Sequence, residues 1–306
     1  MLQLMKTTTA FVIALSISFT TGAQAISSKL QSAFTQFEKD AQLQSAMASL
    51  YVMEAKTGNV VFQKNAEVGL APASTQKVIT AATAYALLGK DFRYQTRFGY
   101  TIDGKNAALH IQPSGDPTLG SWRWPYNAEE AVLKRLSTTL FAILGNKTVN
   151  HLYIDGKGWN SESIPDGWIW QDIGNYYGAG ASALNWRENQ YDIYLQSGAA
   201  IGDAVKVTGT KPKLHGVQFA SQATAAAKGT GDNAYIYYPL QTDKGLVRGT
   251  IPAGESKFVI SGAMPSPHLQ FSYTWLDALK KIGGVAETIT PVVTYENTAA
   301  KPVLFH

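Results

Sequence analysis

The chain is 306 residues long with a net charge of +4 and no cysteine, which excludes disulfides, thiolate metal sites, a cysteine nucleophile and a lipid-modified N-terminal cysteine. Lys and Arg are scattered rather than clustered, so no nucleic-acid-binding stripe is expected. The mildly basic balance suits an anionic polymer, although simple solubility is the more economical reason for it. The length exceeds one average domain and is ample for a sizeable core.

Taken from the N-terminus, Lys6 precedes an apolar run from Ala10 to Phe19, and Ala23-Gln24-Ala25 comes next. That is the form of a secretory signal cleaved after Ala25, so residues 1–25 are expected to be a signal peptide and the protein to be exported, periplasmic or extracytoplasmic. The run is about half of the roughly twenty residues a membrane span requires, and no later stretch reaches that length. Ser28 to Leu43 places Leu30, Ala33, Phe34, Phe37 and Ala41 at helical spacing. Ala46 to Met53 and Val60 to Lys64 read as two strands joined through Ala55-Lys56-Thr57-Gly58-Asn59, a hairpin. Ala71-Pro72-Ala73 then leads into Ser74, and Val78, Ile79, Ala82, Tyr85 and Leu88 make an apolar helix, expected to be buried, that stops at Gly89.

After Asp91 the texture changes to short strands and turns, with Arg97 to Ile102 and Ala107 to Ile111 flanking the turn Asp103-Gly104. A helix is expected over Ala128 to Leu144, with Asn127 as N-cap and Gly145 past its end. Beyond Gly178 the chain is rich in Gly, Ala and Thr with strand-like runs such as Ala234 to Tyr238. Ser272 to Ile282 reads as a helix, and Pro291 to His306 as an extended tail. The order of elements indicates an α/β fold with a β-rich module.

Ser74-Thr75-Gln76-Lys77 has the form Ser-x-x-Lys at a helix start, where residues three apart share a face. A serine is a poor nucleophile until a neighbouring base removes its proton, and a lysine placed there is a candidate for that base. The pattern alone is common, and a serine at a helix start also serves simply as a cap. Context narrows it: an export signal, a preceding hairpin, the Pro-Ala lead-in and an apolar helix behind the serine. His110, His151, His215, His268 and His306 lack paired ligand spacing, and no Gly-x-Ser-x-Gly elbow occurs. Neither a metal, a cofactor nor a Ser-His-Asp triad is therefore expected. Trp122, Trp124, Trp159, Trp168, Trp170 and Trp186 are dense; such rings can stack on sugars, but packing in the core or between domains is the expected role.

Ala71-Pro72-Ala73-Ser74-Thr75-Gln76-Lys77 resembles the Pro-Ala-Ser-x-x-Lys segment of class C penicillin-binding proteins, the D-alanyl-D-alanine carboxypeptidases/endopeptidases. Gly115-Asp116-Pro117-Thr118-Leu119, Ile154-Asp155, Ile164-Pro165-Asp166-Gly167-Trp168 and Tyr177-Gly178-Ala179-Gly180-Ala181-Ser182-Ala183-Leu184-Asn185 resemble further landmarks of that family, in order. The resemblance implies an α/β fold: a partial penicillin-binding-protein/β-lactamase-like transpeptidase domain over 26–90 and 266–306, with large β-rich inserted domains over 91–265. It implies peptidoglycan stem peptides and β-lactams as partners. The implied reaction is serine acyl transfer on D-Ala-D-Ala, with Ser74 as nucleophile and Lys77 as general base.

The family also uses a Ser-x-Asn motif and a Lys-Thr-Gly strand, and neither occurs in its expected place here. Ser182-Ala183-Leu184-Asn185 has the wrong spacing, and Tyr295-Glu296-Asn297 lies in the tail with no helix to mount it. Lys56-Thr57-Gly58 falls in a hairpin turn before the nucleophile, and Lys228-Gly229-Thr230-Gly231 reads as a loop. The expectation is a C-terminally shortened, catalytically incomplete member, with a non-catalytic peptidoglycan-binding or regulatory protein as the alternative.

Overall fold

The computed structural model describes residues 25–159, 162–239, 242–283, 285, 288–294 and 302–305. The signal-like segment before Ala25, Tyr295-Glu296-Asn297 and His306 lie outside these residues. The chain divides into two compact units, one ending at Asp91 and the other starting at Phe92.

The first unit comprises helix α1 (residues 25–38), the antiparallel hairpin β1 (Leu50–Met53) and β2 (Val60–Lys64), and helix α2 (Gln76–Leu88). Among its described residues, the apolar side chains in the core are Phe34 and Phe62, whose rings lie 6.2 Å apart. The hairpin turn is closed by Gly58 N–H donating to Glu54 O at 2.8 Å, with Gly58 at φ 75°. That left-handed conformation explains the glycine, and Lys56-Thr57-Gly58 is a turn. Helix α2 departs from the sequence expectation: every one of its residues is exposed, with Val78 at 68% and Leu87 at 79%. It is apolar around much of its circumference, as in helices enclosed by partners, rather than along one stripe. No described residue of the first unit encloses it.

The second unit holds most of the core. A five-stranded mixed sheet has the order β13 (Val292–Thr294), β5 (Thr148–Asp155), β4 (Asn106–Gln112), β3 (Arg97–Asp103), β14 (Val303–Phe305). β3 and β4 form a hairpin through Gly104 at φ 58°, and β5 pairs in parallel with β4. The crossover between those parallel strands contains helix α3 (Glu129–Leu144), as parallel pairing demands. Val132, Leu136, Leu140 and Leu144, four residues apart, are its buried stripe. Each such side chain contributes about 1.5–3 kcal/mol. The cap is not the expected one: Ala128 occupies the N-cap without a side-chain bond, and Asn127 instead donates its amide to Thr118 Oγ1 at 2.7 Å. Glu129 and Glu130 in the first turn suit the positive end of the helix dipole.

Two smaller sheets complete this unit. One is antiparallel, with order β12 (Phe258–Ala263), β6 (Gln190–Gln196), β7 (Lys206–Lys211). The other has order β10 (Asn233–Tyr237), β11 (Lys244–Pro252), β8 (Gln218–Ser221), with β9 (Thr224–Ala226) also on β11. Between β5 and β6 lies one further short helix, α4 (Trp170–Ile173).

Helix α5 (Pro267–Lys280) starts earlier than its apolar periodicity suggests because Pro267 sits at the first helical turn, where its missing N–H costs nothing. Phe271, Trp275, Leu276 and Leu279 on α5 are buried. Phe98 lies 5.5 Å from Trp275 edge-on, and Phe271 lies 4.9 Å from the buried Trp186. The family resemblance groups 266–306 with 26–90. Here α5, β13 and β14 fall in the second unit, because the apolar face of α5 meets α3 and the ring of Phe98. Of the six tryptophans between 122 and 186, Trp186 alone is in the core; the others are 38% to 56% exposed.

Candidate active site

Ser74 occupies a single 3-10 turn, Ala73–Thr75, that runs directly into α2. Pro72 precedes it with φ −78°, and Thr75 Oγ1 donates back to Pro72 O. Ala73 adopts φ 47°, left-handed for a residue that bears a Cβ, and such positions persist where the surroundings fix the chain direction. The twist at Ala73 sets where Ser74 leaves the backbone. One helical turn later, Lys77 Nζ lies 3.0 Å from Ser74 Oγ, within hydrogen-bond distance. The two residues singled out by spacing are thus brought together. Both are exposed, and among the described residues no third side chain is hydrogen-bonded to the pair.

At 3.0 Å an amine lone pair can accept the hydroxyl proton as Oγ attacks an acyl carbon, and the resulting ammonium can return it to a leaving amine. The described first unit does not supply enclosure. Groups that stabilise a developing oxyanion act most strongly where water is excluded, and an open helix start does not exclude it.

The segments between Gly115 and Asn185 that resemble family landmarks have a different role, one their spacing does not reveal. All lie in the second unit, and the first and last of them are tied into one buried polar network. Gly115 N–H donates to Ala183 O at 2.9 Å, and the Asn185 amide donates to Gly115 O at 3.0 Å. Asn185 Oδ1 accepts from Ser182 N–H at 3.0 Å and from Asn189 Nδ2 at 2.7 Å. Asn185 and Asn189 are 6% and 5% exposed; burial at that depth is tolerable because their polar atoms are matched.

Next to this network Arg187, Glu188 and Asn189 all have φ between 53° and 56°, a left-handed run that turns the chain into β6. Glu188 accepts from Ser121 Oγ at 2.6 Å and from Arg123 Nε at 2.8 Å, and Arg187 pairs with Glu129. Among the described residues no three His, Asp or Glu side chains gather as a metal site would require.

Comparison with known proteins agrees with this architecture. A D-alanyl-D-alanine carboxypeptidase of Actinomadura sp. (strain R39) is 25% identical over 255 residues, covering 80% of this chain and 45% of that protein. Penicillin-sensitive carboxypeptidase A of Dictyostelium discoideum is 25% identical over 171 residues, 51% of this chain and 31% of that protein. The crystal structure of penicillin binding protein 4 (dacB) from Haemophilus influenzae superposes with a TM-score of 0.63 at 20% identity, covering 83% of this chain and 55% of that one. The same protein complexed with a β-lactam gives a TM-score of 0.54 at 18% identity, covering 85% and 56%. The chain therefore spans about half the length, or less, of these relatives. The profile of one family covers residues 26–305, nearly the whole chain beyond Ala25, and the chain accordingly belongs to the D-Ala-D-Ala carboxypeptidase 3 (S13) family, whose members are serine-type carboxypeptidases.

Proposed function

We propose that Ser74 is the nucleophile and Lys77 the general base of an acyl transfer on the D-Ala-D-Ala terminus of peptidoglycan stem peptides. The observation that carries this reading is the 3.0 Å approach of Lys77 Nζ to Ser74 Oγ at the start of α2, directly after the left-handed Ala73. Ser74 Oγ attacks the penultimate carbonyl while its proton passes to Lys77. The C–N bond then breaks, D-alanine leaves with that proton, and water hydrolyses the ester. The same reading makes residues 1–25 an export signal, places the mature protein in the periplasm or outside the cell, and makes residues 91–265 β-rich sequence inserted into a partial peptidase domain over 26–90 and 266–306.

These 306 residues contain no Ser-x-Asn, and no Lys-Thr-Gly after Ser74. A protein of this sequence is accordingly a slow enzyme, since loss of even one oxyanion donor costs about 10²–10³ in rate. The exposure of Ser74 and Lys77 also favours a second reading, a peptidoglycan-binding protein without turnover. Labelling with a fluorescent penicillin beside D-alanine release, with Ser74→Ala as blank, separates the two. Slow Ser74-dependent labelling with release well under about 1 per second is expected. No labelling at any exposure time leaves the binding protein, and release at ordinary enzyme rates overturns the incompleteness.

A further inference from the structure

The loop from Ser121 to Asn127 is closed at its base and held along its length. Gly120 and Ala128 form a parallel bridge, and inside it Asn127 N–H donates to Trp124 O at 2.9 Å. Ser121, fully buried, donates to Glu188 Oε1 at 2.6 Å. Arg123 Nε reaches both Glu188 oxygens at 2.8 and 3.0 Å. From α3, Arg135 Nη1 donates to Tyr126 O at 2.6 Å. A compact loop with joined ends and internal bonds is a common carrier of function.

What this fixed loop presents to solvent is aromatic. Trp124 is 56% exposed and Tyr126 73%. Trp124 has neither a ring nor a cation partner among the described residues. Tyr126 carries the Arg135 guanidinium 4.0 Å from its ring centroid, which backs one face of the ring. Arg123 is committed to Glu188 and Arg187 to Glu129, whereas Arg135 pairs with no carboxylate among the described residues. Two outward rings beside a guanidinium lacking an acid fit a chain of sugar rings that bears carboxylates: the C–H faces of the sugars pack on the aromatics, and the carboxylate takes the charge-assisted bonds.

We propose that the 121–127 loop is a glycan-strand platform, on which Trp124 and Tyr126 hold sugar rings of peptidoglycan and Arg135 pairs with a carboxylate of the same strand. The identity of the polymer rests on the family reading, while the contact is independent of the chemistry at Ser74. Co-sedimentation with purified insoluble peptidoglycan tests it, with chitin as the uncharged glycan and anionic phospholipid vesicles as the competing anionic surface. Every variant is made in the Ser74→Ala background, so that acylation by the stem peptides does not contribute to sedimentation. Trp124→Ala/Tyr126→Ala binds at least about tenfold more weakly, equivalent to about 1.4 kcal/mol, at an unchanged melting temperature because both rings are exposed. Arg135→Gln weakens binding to peptidoglycan severalfold more than binding to chitin, since only the former loses a carboxylate contact.

As a second readout, glycan strands freed by amidase shift the tryptophan emission of the parent chain but not of Trp124→Phe. Undiminished sedimentation of the double variant overturns the platform, as does loop-dependent binding to vesicles with none to peptidoglycan. Loop-dependent sedimentation, with no penicillin labelling of the chain that keeps Ser74, leaves the platform standing and removes the acyl-transfer reading alone.

Discussion

Replacing Gly120 with alanine tests whether the base of the aromatic loop is built around Trp186. Gly120 has φ 75°, and a Cβ there would lie 2.6 Å from Trp186 Cε3 and Cζ3. The indole cannot retreat: it is 0% exposed and packs 4.9 Å from Phe271. The left-handed backbone costs an alanine on the order of 1–2 kcal/mol, and forcing atoms into a filled core costs about 1–3 kcal/mol more.

Gly229, with φ 83° and nothing within 4 Å of an added Cβ, carries only the backbone cost. For a unit of this size about 1 kcal/mol lowers the melting temperature by roughly 2–4 °C. Gly120→Ala should therefore melt about 2–12 °C below Gly229→Ala in differential scanning calorimetry. Equal midpoints would mean that Trp186 moves freely, and the close approach would then not explain the glycine.

Two further outcomes stem from burial. Desolvation holds the imidazoles of His268, His110 and His215 below their ordinary 6.5; at His215 it outweighs the opposing pull of Asp277. The unfolded chain then binds protons more readily, so stability is fully present above 6.5 and declines as pH falls below it. Melting curves between about pH 7.5 and 5.5 should show that decline, reduced in His268→Gln; an identical decline in the variant sinks the assignment. In the first unit, Phe34 and Phe62 are the buried apolar side chains among the described residues, so the amides of α2 should exchange far faster than those of α5. Equal protection by hydrogen-exchange mass spectrometry would contradict the exposed α2.

Much of this is legible in the sequence, for reasons that differ by element. The strand Val60–Lys64 and the hairpin β3–β4 can be read within a residue because turn glycines mark them: Gly58 and Gly104 both have positive φ. The pairing of Ser74 with Lys77 comes from helical spacing alone. The start of helix α5 is harder to place because Pro267 reads as a breaker unless it is recognised at the first turn. Its unit is harder still, because periodicity reveals an apolar face and not its partner. Bulk favours burial for tryptophans, yet Trp122 and Trp124 sit in a loop fixed by Glu188, more than sixty residues away. No local pattern encodes so distant a tether. The role of Asn185 is hidden for the same reason, its partners including Gly115, seventy positions back in the chain, besides Ser182 and Asn189.

The order of the five-stranded sheet has a consequence for biosynthesis. Its two outer strands, β13 and β14, come from residues 292–294 and 303–305, and they cover opposite edges of strands made some 140 to 200 residues earlier. During synthesis from the N-terminus, the free edge of β5 must wait for residues 292–294 and that of β3 for residues 303–305. Uncovered strand flanks recruit other chains, and pairings this distant in sequence form slowly. Losing only Val303–Phe305 would leave that flank of β3 without its described partner strand.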